Sequence, residues 1–312
     1  MIVIYLGVVK SRMVWIDARH STELIETMGI LGLVIQRTNG IPIISKTWTD
    51  KLLSFDRTDS MLIAGFMSAI TSFANSFEQN IDFIQLSPKS DPGSNGISAV
   101  LNYFSEVMLI CFTEPYLFLN KVNLKLQLIY KYLIEGRLKD LAAGNVFTLA
   151  KDEEAFIERI LFDTDAKTLI EKKKNKIISV FNQIEEAYSG DVRGFSINSF
   201  DNSILFSYGI ELPELQNLLC HMGKGGDVKD WEVQYKPVWI DKSPILVSYT
   251  NSAVKIPVSQ MLGKSKTAQN QEEDQLYYGE VPLYYYIITE ADCSIGPIME
   301  KLNAMLHPLL TD

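Results

Sequence analysis

The chain has 312 residues, more than the roughly 100 to 200 residues of a usual domain, so two domains are expected. Almost half of the residues are hydrophobic, which excludes wholesale disorder. The formal net charge of −9 argues against a protein that coats nucleic acid, because affinity for a polyanion depends on clustered Lys and Arg.

Residues 1–28 form an N-terminal extension without a convincing domain pattern. Its apolar stretch, residues 2–9, lacks the positively charged segment and the cleavage site of a secretory signal. The cysteines are far apart and fit neither a disulfide framework nor a zinc site. These features favour a reducing, cytoplasmic environment.

The first predicted domain covers residues 29–141. Two β-rich runs, residues 30–35 and 41–44, flank Asn39-Gly40, which is typical of a hairpin with a type I′ turn. Both central residues of that turn need positive φ. A helix is predicted next, and its apolar residues, which recur at spacings of three and four, are expected to pack against the sheet: Leu62, Phe66, Ile70, Phe73 and Phe77.

Three strands and a helix complete this domain. The predicted strands are residues 81–86, 97–104 and 107–112, and the helix covers residues 120–141. Polar residues interrupt the longest apolar region, residues 97–119, whereas a spanning helix needs about 20 predominantly apolar residues. No segment is therefore expected to cross a membrane, and any membrane contact would be peripheral.

Residues 142–193 predict a charged helical linker. A narrow apolar stripe runs along it through Ile170, Ile177, Phe181, Ile184 and Tyr188. The Lys-rich run at residues 171–176 is interpreted as a solvated helix face, in preference to a contact with an anionic membrane or a GTPase.

Residues 194–312 repeat the order ββαβββα of the first domain. Asp201-Asn202 gives the hairpin signal, Pro213 begins the first helix, and an amphipathic helix ends the chain. The strands between these helices are predicted at residues 231–240, 245–258 and 281–289. The repeat concerns element order and not sequence identity. Residues 261–275 are expected to be a mobile loop that only the second copy has.

The hairpin of residues 31–43, followed by the helix of residues 61–77, resembles the opening of the longin and roadblock group of profilin-like domains. The resemblance is good over residues 29–141 and weak over residues 194–312. It implies an α+β chain with two profilin-like domains, each a five-stranded antiparallel sheet with flanking helices. Members of this group have no catalytic motif and present a sheet edge and helices to partners in vesicle trafficking and small-GTPase regulation.

The resemblance points to the crossing helix and the neighbouring strand as the surface for assembly. Pro42 removes only one donor from that strand and does not close its edge. The expected partner is a small GTPase or another longin or roadblock protein, including a second copy of this chain. The candidate interface residues are Ile41, Ile43, Thr58, Met61, Phe66 and Phe73.

The residues provide no catalytic constellation, and no cofactor or metal is assigned. Gly263-Lys264-Ser265 resembles the end of a P-loop, but Val258 stands where that motif requires glycine. Cys220 and His221 are adjacent on a predicted helix, so their side chains point in different directions. The aromatic run Tyr284-Tyr285-Tyr286 is interpreted as a core strand in preference to a binding platform.

The leading hypothesis is a non-catalytic interaction platform. The alternative is a small-ligand sensor of the PAS or GAF type, and an enzyme of unrecognised type comes third. A filled core would favour the platform, whereas a pocket of a few hundred cubic ångströms would favour the sensor.

Overall fold

The structure is a computed structural model. It describes residues 29–49, 52, 57–87, 96–138, 148–188, 190–222, 228–240, 243–262 and 279–311. Within these ranges the chain is α+β and contains two five-stranded antiparallel sheets. The N-terminal extension and the P-loop-like residues 263–265 lie outside them.

The first sheet has the strand order β2-β1-β5-β4-β3. Its strands are β1 (Ile30–Arg37), β2 (Pro42–Thr47), β3 (Phe83–Leu86), β4 (Ile97–Tyr103) and β5 (Val107–Thr113). Helix α1 (Arg57–Asn75) connects β2 to β3, and α2 (Leu119–Ile129) follows β5. The end of α2 continues as a π-helical turn, Tyr130–Ile134, and a short 3₁₀ turn, Glu135–Arg137.

Two helices, α3 (Lys151–Leu161) and α4 (Thr164–Ala187), lead to the second sheet. That sheet has the strand order β7-β6-β10-β9-β8. Its strands are β6 (Val192–Asn198), β7 (Ile204–Tyr208), β8 (Val233–Ile240), β9 (Ser243–Pro257) and β10 (Glu280–Glu290). The remaining helices are α5 (Leu212–Met222), α6 (Val258–Leu262) and α7 (Ile295–Thr311).

The predicted repeat of element order is confirmed except for the short helix α6, which lies between β9 and β10 in the second copy, and both sheets share one strand order. In each copy, the first strand lies between the second and the fifth, and the third strand forms an edge. The apolar region at residues 97–119 forms the two strands β4 and β5, as predicted. No helix among the described residues is long and apolar enough to cross a membrane.

Helices cover both faces of the first sheet. Leu33 of β1 and Cys111 of β5 are paired, and their side chains join a core that includes Val122 and Leu126 of α2. On the opposite face, Met108 and Ile110 pack in a smaller core with Met67 of α1. Strand side chains alternate between faces, so a strand covered on both faces is apolar throughout, as β5 is.

The predicted packing of α1 is wrong. Phe66, Phe73 and Phe77 point to solvent, and the sheet is covered by Ala64, Met67 and Ala74. Small side chains allow the close approach in which Gln36 Nε2 donates a hydrogen bond to the carbonyl of Ala64 at 3.2 Å. Because α1 is apolar on two sides, its periodicity alone does not identify the buried side.

The first hairpin also differs from the prediction. Gly40 has a φ of +85°, whereas Asn39 is not among the described residues with positive φ, so the turn is not type I′. The amide of Arg37 donates to the carbonyl of Ile41 at 2.8 Å, and the amide of Gly40 donates to the carbonyl of Arg37 at 2.9 Å. The connection is a longer loop with glycine in the left-handed region, a common alternative in hairpins.

The segment predicted as a linker packs against the second sheet. Four of the five predicted stripe residues of α4, namely Ile170, Ile177, Phe181 and Ile184, are buried. The ring of Phe181 lies 5.5 Å from the ring of Phe195 on β6. The segment is two helices instead of one, because Asp163 between them adopts a left-handed conformation with a φ of 48°.

The segment predicted as a mobile loop begins later than expected. Met261 and Leu262 belong to α6 and are buried, because their side chains reach the core of the second sheet. The rest of the predicted loop, residues 263–275, lies outside the described residues.

The two halves meet where the β6–β7 turn contacts the segment before α2. The amide of Phe118 donates to the carbonyl of Asp201 at 2.9 Å. The side-chain amide of Asn202 donates to the carbonyl of Tyr116, also at 2.9 Å. The ring of Phe118 packs edge-on against Tyr284 of β10. Hydrogen bonds and aromatic packing thus join the two sheets at this junction.

Candidate protein-interaction surface

The outer side of α1 carries a row of exposed aromatic side chains. Phe66, Phe73 and Phe77 are each more than half exposed to solvent. Phe66 and Phe73 are two helical turns apart and therefore lie on the same side of the helix. The rings of Phe73 and Phe77 are 5.1 Å apart in an edge-on arrangement. The three rings form one continuous apolar strip.

The strip contains no charged residue within α1, and Glu78 follows directly after Phe77. Residues 60–77 include no Asp, Glu, Lys or Arg. Ala69 between the rings is exposed and Ile70 is half-buried, so the strip is apolar between the aromatic positions as well. A large exposed apolar patch marks an interaction site more often than a single exposed apolar side chain does.

The β1–β2 turn packs against the sheet-facing side of α1, near Ala64 and Ser68. The hydroxyl of Ser68 on α1 donates to the carbonyl of Thr38 at 3.2 Å, which holds the turn against the helix. A Cβ atom on Gly40 would lie 3.1 Å from the Cβ of Ser68, so only glycine fits there without displacement. The next residue, Ile41, is more than half exposed. Because Ser68 and the phenylalanines lie on different sides of α1, Ile41 is not part of the strip. We call Phe66, Phe73 and Phe77 the α1 surface.

The structure places the other predicted interface residues differently. Ile43 is half-buried and packs against the core, so it contributes little to the exposed surface. Thr58 and Met61 lie in the first turns of α1, and their side chains are outside the described part of the chain.

The strand β2 forms one edge of the first sheet. One side of this edge is occupied by α3, because Lys46 forms a 2.8 Å ion pair with Glu158. Trp48 directs its indole N–H to the same carboxylate.

A second set of exposed aromatic side chains was not predicted. Tyr235 and Trp239 on the edge strand β8 are each more than half exposed. They lie four residues apart and so share one face of the strand. The alternation of Tyr235, Pro237 and Trp239 in the sequence indicates that these three residues share one face of β8, but strand periodicity alone does not show that this face is exposed.

The residues weighed for catalysis are not assembled into a site. His221 is exposed, and its Nδ1 lies 2.8 Å from the carbonyl of Asn217, while Cys220 is half-buried. Tyr284, Tyr285 and Tyr286 are all buried, because both faces of β10 are covered. Among the described residues, no group of three or more His, Cys, Asp or Glu side chains is arranged to hold a metal ion.

A small cavity lies between α3, α4 and the second sheet. It has about 10 Å³ of space for the centre of a water molecule, which is room for about one water. Its lining includes Arg159, Asp163, Asp165, Ser199, Phe200 and Met261. A pocket for a small organic ligand is usually a few hundred cubic ångströms or more.

Comparison with protein-family models and with curated protein sequences finds no match to this chain.

Proposed function

We propose that this protein is a non-catalytic interaction platform that docks a partner protein on the α1 surface. The observation that carries the proposal is the strip of Phe66, Phe73 and Phe77, whose side chains are each more than half exposed on the outer side of α1. Aromatic side chains provide much of the binding energy at protein interfaces, and charged residues are depleted at interface cores. The strip has both properties.

The resemblance to longin and roadblock domains suggests which partner to expect. The repeated ββαβββα order and the shared strand order support that resemblance without deciding it. We infer that the partner on the α1 surface is a second sheet domain of this type, from another copy or a related chain. The resulting complex would regulate a small GTPase or act in membrane trafficking, in the cytoplasm and at the periphery of membranes.

The first experiment measures self-association of the full chain by sedimentation. The double variant Phe66→Ser, Phe73→Ser removes two rings that contribute little to the folded core. We expect its dimer dissociation constant to rise by about tenfold or more, since each interface anchor contributes roughly 1 to 2 kcal/mol. The matched control is Glu214→Ser, which changes the solvent side of α5 at the corresponding place in the second sheet.

If the wild-type chain is monomeric, the partner is expected to be a related chain, and a second experiment tests this. In that case the chain is used to capture longin or roadblock proteins and small GTPases, and nucleotide exchange is measured on any GTPase recovered. Capture that is lost in the double variant and kept in the control supports the proposal. A strictly monomeric chain that recovers no such protein and carries a co-purified small molecule would favour the sensor.

A further inference from the structure

A buried charged cluster lies at the junction of the two halves. Lys125 of α2 is fully buried, and its Nζ lies 2.6 Å from a carboxylate oxygen of Asp163 and 2.6 Å from one of Asp201. The same Nζ donates to the carbonyl of Leu161 at 2.9 Å. These partners use all three donors of the ammonium group. The cluster thereby joins α2, the α3–α4 connection and the β6–β7 turn.

With every group ionised, this cluster has one uncompensated negative charge. Two carboxylates face one ammonium, and each of the three side chains is at least nine-tenths buried. Leaving a charge unpaired in the interior is costly, and the usual response is that a group changes its protonation state. One carboxylate of the cluster therefore has a strong tendency to hold a proton.

The hydrogen bonds identify Asp163 as that carboxylate. Asp201 accepts hydrogen bonds from Lys125 and, at 3.0 Å, from the backbone amide of Ser203, whereas the Ser199 hydroxyl lies within hydrogen-bonding reach of both carboxylates. A carboxylate with several donors is stabilised in its charged form. Asp163 lacks a comparable backbone donor and also borders the small cavity, which extends to the partly exposed pair Arg159–Asp165.

The other ionisable groups around the cluster do not neutralise the extra charge. Arg159 is paired with Asp165 through two hydrogen bonds of 2.7 and 2.9 Å. Burial raises the pKa of the Cys111 thiol to about 12 and that of Tyr116 well above its ordinary value, so both remain neutral. The groups that face the cluster from the packed elements are Cys111, Tyr116, Lys125, Arg159, Asp165 and Asp201.

We propose that the Lys125–Asp163–Asp201 cluster is a proton-dependent latch between the two sheets. With one proton on Asp163, the cluster is electrically neutral and holds α2 against the β6–β7 turn. Loss of that proton leaves a buried negative charge and favours separation of the two surfaces, where water can reach the carboxylates. The latch is independent of the partner proposed for the α1 surface.

The direction of the pH dependence follows from the shift at Asp163. Burial, together with the nearby charge of Asp201, raises the pKa of Asp163 from 3.8 to about 7, against the opposing effect of Lys125. A carboxyl whose pKa is raised in the closed form stabilises that form fully below the open-state value of 3.8. The stabilisation is lost as the pH rises from there through about 7. The latch is therefore firmer at pH 5 than at pH 8.

Two lysines, Lys125 and Lys167, do not contribute to the pH dependence between pH 5 and pH 7. Burial lowers the pKa of Lys125, but the two carboxylates more than offset this effect, and Lys125 stays charged. Burial lowers the pKa of Lys167 from 10.5 to about 8. Its contribution to stability is lost as the pH falls from 10.5 through about 8, and it is constant between pH 5 and pH 7.

The amide of Phe118 reports on the latch, because it donates to the carbonyl of Asp201 across the junction. Hydrogen exchange of this amide in the full chain, divided by its intrinsic rate at each pH, gives a protection factor. For wild type we expect that factor to fall by up to about tenfold per pH unit between pH 5 and pH 7, as for loss of one proton. Above pH 7 the decrease should level off.

The variant Asp163→Asn should remove this pH dependence, and asparagine is well suited to the left-handed conformation at this position. The control Asp152→Asn changes an exposed carboxylate in the first turn of α3, away from the cluster, and should keep the wild-type slope. Equal slopes for wild type and Asp163→Asn, or a flat wild-type profile, would overturn the proposal.

A second measurement covers the case in which Asp163→Asn does not fold. The carboxyl carbon of Asp163 in the wild-type chain is followed by nuclear magnetic resonance during a pH titration. A midpoint near pH 7 supports the latch, and a midpoint below pH 5 contradicts it.

Discussion

Helices α1 and α5 occupy the same place in the two copies, between the second and third strands, yet their solvent sides differ. On α5 the apolar residues Leu215, Leu218 and Leu219 are buried, while the exposed side is polar and includes Glu214 and His221. On α1 the buried side is formed by small or flexible residues, and the exposed side has the three phenylalanines of the α1 surface.

The difference between the outer sides of α1 and α5 shows which features of these helices the fold requires. Both helices connect the same strands and bury one apolar side, so an apolar outer side is unnecessary for this topology. The phenylalanines of α1 expose apolar area to water. Burial of this area would contribute a favourable free energy of roughly 25 cal/mol per Å². The partner that we propose would cover this strip, whereas the outer side of α5 is polar.

The largest expected effect tests whether the two copies are coupled at all. Lys125→Ala should lower the free energy of unfolding of the full chain by about 3 to 5 kcal/mol, because two carboxylates then lose their buried partner. Urea denaturation measures this loss, with Lys176→Ala on the exposed side of α4 as the control. A loss below about 1 kcal/mol would show that the cluster does not couple the two copies, which then unfold as independent units.

The next effect tests the orientation of α1 through two adjacent residues. Met67 is buried against the first sheet, so Met67→Ala should cost about 2 to 5 kcal/mol. Phe66 is more than half exposed, so Phe66→Ala should stay within about 0.5 kcal/mol of wild type in the isolated chain. Thermal or urea unfolding at low protein concentration distinguishes the two. The reverse order of losses would place the phenylalanines in the core.

The orientation of α1 shows where sequence reasoning fails in this molecule. The apolar spacing of Phe66, Ile70 and Phe73 correctly predicts a helix. The inward side, however, is defined by Ala64, Met67 and Ala74, which are weaker apolar signals. Large aromatic residues are usually buried, so a pattern rule assigns them to the core. It fails where the aromatic residues form an outer surface instead.

The element order, by contrast, was readable from the sequence. Strands of alternating or continuous apolar residues, bounded by Asn-Gly and Asp-Asn turns, identify both copies, and β4, β5 and β10 begin within one residue of prediction. These signals are local, so they need no knowledge of distant contacts. The cluster of Lys125 was missed for the opposite reason, since its partners are 38 and 76 residues away in the chain.

The smallest expected effect concerns a difference between the two sheets at one end. The guanidinium of Arg193 on β6 holds Glu290 of β10 through two hydrogen bonds of 2.6 and 3.1 Å. At the corresponding end of the first sheet, β1 and β5 pair Ile30 with Thr113, without charges. Both members of the ion pair are more than a third exposed, so solvent screens their attraction.

Glu290→Gln should therefore cost less than about 1 kcal/mol of unfolding free energy at pH 7. The hydrogen bonds from Arg193 lower the pKa of Glu290 below 4.5. A carboxyl with a lowered pKa stabilises the folded state above its unfolded-state value, and this contribution disappears as the pH falls through the folded-state value. The difference between wild type and variant should thus shrink below pH 4.5 and in high salt. Urea titrations at pH 7 and pH 3, with and without added salt, measure it. If the difference in unfolding free energy is unchanged at pH 3 and in high salt, Glu290 acts through packing. The ion pair would then not be an energetic difference between the two sheets.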